Sequence, residues 1–98
     1  MFEIRMSETG EVVMKGRLDA AQCDKAMQFL DAVPEPRVID LAGLEYVSSA
    51  GLGVLLKTQK RVMAAGRGLR LVNVNRHIND IFRYAGFDRI FEVVRAAE

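Results

Sequence analysis

The sequence predicts an α/β fold: one domain over residues 1–98, with a mixed sheet of four to five strands and three main helices. Three observations carry this. Apolar residues alternate with period two near the N-terminus, and Ser7-Glu8-Thr9-Gly10 splits them into two strands, as in an antiparallel hairpin. After Gly16, strand-like and helix-like stretches take turns, and strand–helix–strand units join parallel strands by right-handed crossovers. A chain of 98 residues supports one core but not two.

In the first strand Phe2, Ile4 and Met6 alternate with Glu3 and Arg5. The second runs from Glu11 to Lys15, with Val12 and Met14 on one face. Asp19 and Gln22, three apart, resemble a capping box and open a helix. Cys23, Ala26, Met27, Leu30 and Val33 form its buried stripe, and Pro34 and Pro36 end it.

Arg37 to Leu41 reads as a central strand covered on both faces, because apolar residues fall on both. In the second helix Leu52, Leu55, Leu56, Gln59, Val62 and Met63 line the inner side, and Val54 shares the outer face with Thr58 and Arg61. Gly66 and Gly68 stop it, one of them at positive φ. Leu69 to Val74 supplies a fourth strand. Asn75 caps a third helix carrying Ile78, Ile81, Phe82 and Ala85 inward, with Gly86 as its stop. Ile90 to Val94 is a short last strand or packing tail, and residues 96–98 are expected to fray.

Half the residues are hydrophobic and the formal net charge is +1, which excludes a disordered tail and gives no bulk attraction to nucleic acid or membrane. No apolar run approaches a bilayer span, and the N-terminus lacks the pattern of a signal peptide. One cysteine, Cys23, cannot form an internal disulfide, which points to a reduced, cytoplasmic setting. Cys23 reads as a small core residue.

Enzyme chemistry finds no constellation here. His77, the one histidine, has no evident nucleophile or orienting partner. Asp19, Asp40, Asp80 and Asp88 lack metal-ligand spacing, so neither catalysis nor a metal is expected. Gly51-Leu52-Gly53 lacks the third glycine of a dinucleotide fingerprint and the lysine of a P-loop, so no cofactor is expected either. The arginines of the second half, with few aromatics among them, read as a solvated face.

The stretch Tyr46-Val47-Ser48-Ser49-Ala50-Gly51-Leu52-Gly53 is left over. A short hydroxyl, Ser48 or Ser49, can cap the helix that follows. Two glycines at a helix start are not chosen for propensity. Small side chains there leave backbone amides open to a phosphate or to a partner. A plain strand-to-helix turn packed closely by glycine would use the same residues.

Together with Gly16-Arg17-Leu18-Asp19, Val38-Ile39-Asp40-Leu41, Leu71-Val72-Asn73-Val74 and the run from Ile81 to Phe91, this stretch resembles the STAS family, typified by bacterial anti-sigma factor antagonists. The resemblance implies a binding module without catalysis. Its partner would be an anti-sigma factor that is also a serine kinase of the GHKL type, and binding would free a sigma factor. The implied partner face is Ser48, Ser49, Ala50, Gly51 and Val54, with Val54 adding exposed apolar area. In the family pattern the kinase phosphorylates the residue just before the glycine. Here that position is Ala50, which has no hydroxyl, so the serine switch is expected to be absent, with Ser49 the only nearby substitute. The resemblance also admits a STAS subunit of another complex, such as the partner of a lipid-transport ATPase or a stress-sensing scaffold. Homodimerisation is compatible with the sequence.

Overall fold

The computed structural model describes residues 1–97. Strand β1 (Phe2–Met6) buries Phe2 and Ile4 and exposes Glu3 and Arg5. It pairs antiparallel with β2 (Val12–Leu18) around the Ser7–Gly10 turn. The chain continues through α1 (Cys23–Asp31), β3 (Val38–Val47), α2 (Ser49–Ala64), β4 (Arg70–Val74), α3 (Arg76–Tyr84) and β5 (Glu92–Arg95). The sheet has five strands in the order β1-β2-β3-β4-β5, and every pairing after the hairpin is parallel.

Because each parallel crossover steps in the same direction, right-handedness puts α1, α2 and α3 on one face. Burial agrees. Ile39, Leu41, Leu44 and Val47 of β3 are buried and belong to one core cluster with residues of all three helices. Val38, Asp40 and Tyr46 on the other side are only half-buried. The expectation of a central strand covered on both faces is therefore corrected: the outer face is open, and Arg17 lies over the Tyr46 ring there at 4.4 Å.

Polar side chains fasten the helices down. Gln59 is buried; its Oε1 accepts from the Leu69 amide at 2.8 Å and its Nε2 donates to the Ile90 carbonyl at 2.6 Å. Arg61 reaches back to α1 and donates to the carbonyls of Leu30, Val33 and Pro34 at 2.8–3.3 Å. That contact corrects the helical wheel. Val54 and Thr58 are buried on the side of α2 expected to face outward, whereas Met63, placed inward, is 53% exposed.

Two helix starts divide. The Asn75 side chain accepts from the Ile78 amide at 2.9 Å, as a cap should. Asp19 makes no capping bond: the chain first takes a 3-10 turn over Ala20–Gln22, and α1 begins only at Cys23. Gly66 and Gly86 stop their helices at positive φ. At the C-terminus the Ala96 amide donates to the Val74 carbonyl at 3.0 Å, so residue 96 is tied rather than frayed, and Glu98 lies outside the described residues.

Gln59→Leu should keep the volume but leave the Leu69 amide and Ile90 carbonyl without these partners. We expect a loss of about 2 kcal/mol, read from urea unfolding at unchanged slope.

Candidate protein-docking corner

Strands β2 and β3 end side by side, with Leu18 paired to Val47. The next residue of β3's chain, Ser48, donates its amide to the Leu18 carbonyl at 2.9 Å. Its backbone is extended, and its Oγ accepts from the Gly51 amide at 3.1 Å. Ser48 is therefore the N-cap of α2, and Ser49 is the first residue of the helix rather than its cap.

The five expected docking residues separate into two groups. Ser49 and Ala50 are exposed on the first turn, and Ser48 is half-buried beside them. Gly51 is buried: a Cβ there would sit 2.8 Å from the Leu18 carbonyl oxygen, 2.8 Å from Val47 Cγ2 and 2.9 Å from Leu18 Cγ. Its role is to let the helix start rest on the ends of β2 and β3, and it offers no free surface. Val54 is only 6% exposed, so the expected apolar contribution to a partner face is corrected. Gly53 is half-buried, and beyond its own helix and chain neighbours nothing lies within 4 Å of where a Cβ would be, so it is the more open of the two glycines. The sequence held a signal for this, since residue 53 follows Ala50 by three, nearly one helical turn.

Cys23 lies next to the corner, packed at the margin of the core. Its thiol donates to the Asp19 carbonyl at 3.3 Å. Burial pushes the thiol above its ordinary pKa, the Asp19 and Asp24 charges add to this, and a hydrogen bond with Ser48 opposes it. A thiol so protected is a poor nucleophile at neutral pH. One Asp19 carboxylate oxygen, Oδ1, is buried with no side-chain or backbone partner.

His77 is exposed in the first turn of α3. Among the described residues, no group of three or more His, Cys, Asp or Glu is placed to hold a metal ion, and no helix is long and apolar enough to cross a membrane. A hollow of about 590 Å³ lies at the end of α3, lined by Asp80, Arg83, Tyr84, Asp88 and Arg89 among others, and none of its lining residues belongs to the corner. Ser49 and Ala50, exposed beside a capped helix start, are thus the residues of the corner that stand open.

Substitutions at neighbouring positions should part company. Ser48→Ala should cost about 1 kcal/mol through loss of the cap, and Gly51→Ala about 1–3 kcal/mol through the clash. Ser49→Ala should stay within about 0.5 kcal/mol of the parent. Thermal unfolding of the three variants checks the order.

Comparison with known proteins gives consistent results. A Bordetella bronchiseptica protein named as an anti-sigma factor antagonist, BtrV, is 35% identical over 79 residues, which is 81% of this chain and 62% of that protein. The chain thus spans about six-tenths of that relative's length. Among solved structures, an anti-sigma factor antagonist from Mycobacterium paratuberculosis superposes with a TM-score of 0.80 at 22% identity, covering 96% of this chain and 84% of that one. A protein from Thermotoga maritima, also described as an anti-sigma factor antagonist, gives 0.77 at 19% identity, with 96% and 86% covered. These two share the fold. The family model described as "Mlab, STAS domain" matches residues 3–95, and the chain belongs to the STAS domain family.

Proposed function

We propose that this chain is a regulatory binding module that works as an anti-sigma factor antagonist. Through the corner at residues 48–53 it engages a kinase-type anti-sigma factor and so releases a sigma factor, acting on transcription without touching DNA. The observation that carries the reading is the exposed Ser49-Ala50 turn on a fixed helix start, in a chain 35% identical to a protein named as such an antagonist. The reading requires no catalytic group, and it places the protein in the cytoplasm with its partner.

The corner also bears on control. In the family pattern the phosphoacceptor precedes the glycine, where this chain has Ala50. The Ser48 hydroxyl is committed to the Gly51 amide. Ser49 is exposed, one residue out of register with the acceptor position. A phosphate on this turn would add roughly −1.5 to −2 charges to the docking face, and those charges would have to be desolvated on binding. Without an acceptor, binding is constitutive.

A second reading, a STAS subunit of a different assembly such as a lipid-transport ATPase partner, is favoured by one observation: the matching family model bears the Mlab description rather than an antagonist's.

Pull-down with the purified cognate anti-sigma factor should give a stable complex with or without ATP. No complex under either condition overturns the antagonist reading and leaves the second. Incubation with that kinase and ATP should leave the intact mass of the wild type unchanged, while Ala50→Ser should gain one phosphoryl group. Rapid stoichiometric phosphorylation of the wild type would refute constitutive binding, and Ser49→Ala would then locate the acceptor.

A further inference from the structure

The hollow at the end of α3 carries a surface of a different kind. Asp80 stands three residues before Arg83 and four before Tyr84, so the three side chains are neighbours on the last turns of the helix. Gly86, at φ 76°, then turns the chain into the 3-10 turn Phe87–Arg89, and Asp88 and Arg89 line the same hollow. The core holds this turn in place. Phe87 stacks on Phe82 and on Phe91, with ring centroids 5.3 and 4.8 Å away, and all three rings are buried.

Two independent features distinguish the hollow. The first is charge. Two carboxylates and two guanidinium groups line it, all four residues exposed. Among the described residues, none of the four enters a salt bridge or a side-chain hydrogen bond. Asp80 and Arg83 are at the spacing of an intrahelical ion pair and still leave each other unpaired. The second is Tyr84, which lines the hollow yet is 94% exposed. A covered ring of that size buries about 150–250 Å². A free anion in the hollow would face Asp80 and Asp88, and a free cation would face Arg83 and Arg89. A surface with equal numbers of both signs, a hollow and a projecting ring is complementary to a copy of itself.

We propose that this face is a two-fold contact between two copies of this chain, with Arg83 and Arg89 of each copy set against Asp80 and Asp88 of the other, and each Tyr84 ring seated in the other's hollow. The charges fix the register, and the rings supply the buried area. Strand β4 lies parallel beside β3, and α3 runs back from the end of β4. The contact and the Ser48–Gly53 corner are therefore at opposite ends of the sheet, and the pair leaves both corners uncovered. The inference does not depend on what binds the corner.

Sedimentation velocity of the full chain tests the proposal. The wild type should be dimeric at about 200 µM and dissociate on dilution to about 1 µM, as a small interface does, and high salt should weaken the dimer. Tyr84→Ala should weaken it about tenfold or more. Asp80→Lys/Asp88→Lys makes the face wholly basic and Arg83→Glu/Arg89→Glu makes it wholly acidic, so each should self-associate about 100-fold more weakly than the wild type. Mixed in equal amounts, the two should pair again, because every opposed charge is restored. Lys57→Glu/Lys60→Glu, a double reversal on α2, should dimerise as the wild type does. A wild type that stays monomeric at about 200 µM overturns the proposal. So does a basic or acidic variant that self-associates as the wild type does, a mixture that remains monomeric, or an equal loss in the α2 control.

Discussion

The Leu18 carbonyl is the point on which the molecule turns. It accepts the Ser48 amide at 2.9 Å, and the bare backbone of Gly51 rests against it. Leu18 ends β2 and Val47, its partner in register, ends β3. Asp19 and Ser48 follow at once, so the chain segments leading to α1 and α2 depart from one place at one edge of the parallel pair. A side chain larger than hydrogen at residue 51 would push α2 off both strand ends. The core contacts of Leu55 and Val62 and the Arg61 bridge to α1 all depend on where that helix starts.

Local chemistry was legible where the responsible residues are adjacent in the chain. The hairpin follows from alternation around Ser7–Gly10, and α3 from Asn75 at its start and Gly86 at its stop. Legibility failed where a distant element decides. Strand β3 runs on to Val47, but its buried residues are Ile39, Leu41, Leu44 and Val47, so the spacing slips from two to three and hides the later half. The pairing of β2 with β3 shifts register twice along the same stretch. Val54 and Thr58 look like an outer face, yet both are buried on the side of α2 that carries Arg61, whose guanidinium donates to the Leu30 carbonyl of α1. Thr58 can be buried because its hydroxyl donates to the Val54 carbonyl at 3.0 Å. For the corner itself, the sequence located the turn but could not say which serine capped it, nor that one glycine is packed and the other open. Both are matters of what lies across the gap.

The structure also separates polar groups that hold the fold from those that do not. Gln59, Arg61 and Asn75 reach backbone groups on other elements. Ser48 closes its own helix start. Ser49 and Ala50 stand outside that network on an otherwise fixed platform. The open sheet face is different again: its charges are dispersed and exposed, as with the Arg70–Glu92 pair at 2.8 Å, and exposed pairs contribute little to stability. Exposed groups that the fold does not need can change without cost to the core.

That separation means that residue 50 can lack a hydroxyl without damage to the fold. Residue 50 lies in the first turn of α2, exposed and beyond the cap. Alanine is a better helix former there than serine by a few tenths of a kcal/mol, about 0.5 at most. The fold therefore gains slightly from the missing oxygen, and the cap at Ser48 and the packing at Gly51 are untouched. On the antagonist reading, the consequence falls on regulation alone. The family's charge switch acts by placing an anion on a face that must be desolvated. On that reading, Ala50 in the acceptor position leaves the face without the charge and so binding-competent. On the same reading, control comes from how much of this chain is present or from the state of its partner, because Ala50 cannot carry that charge.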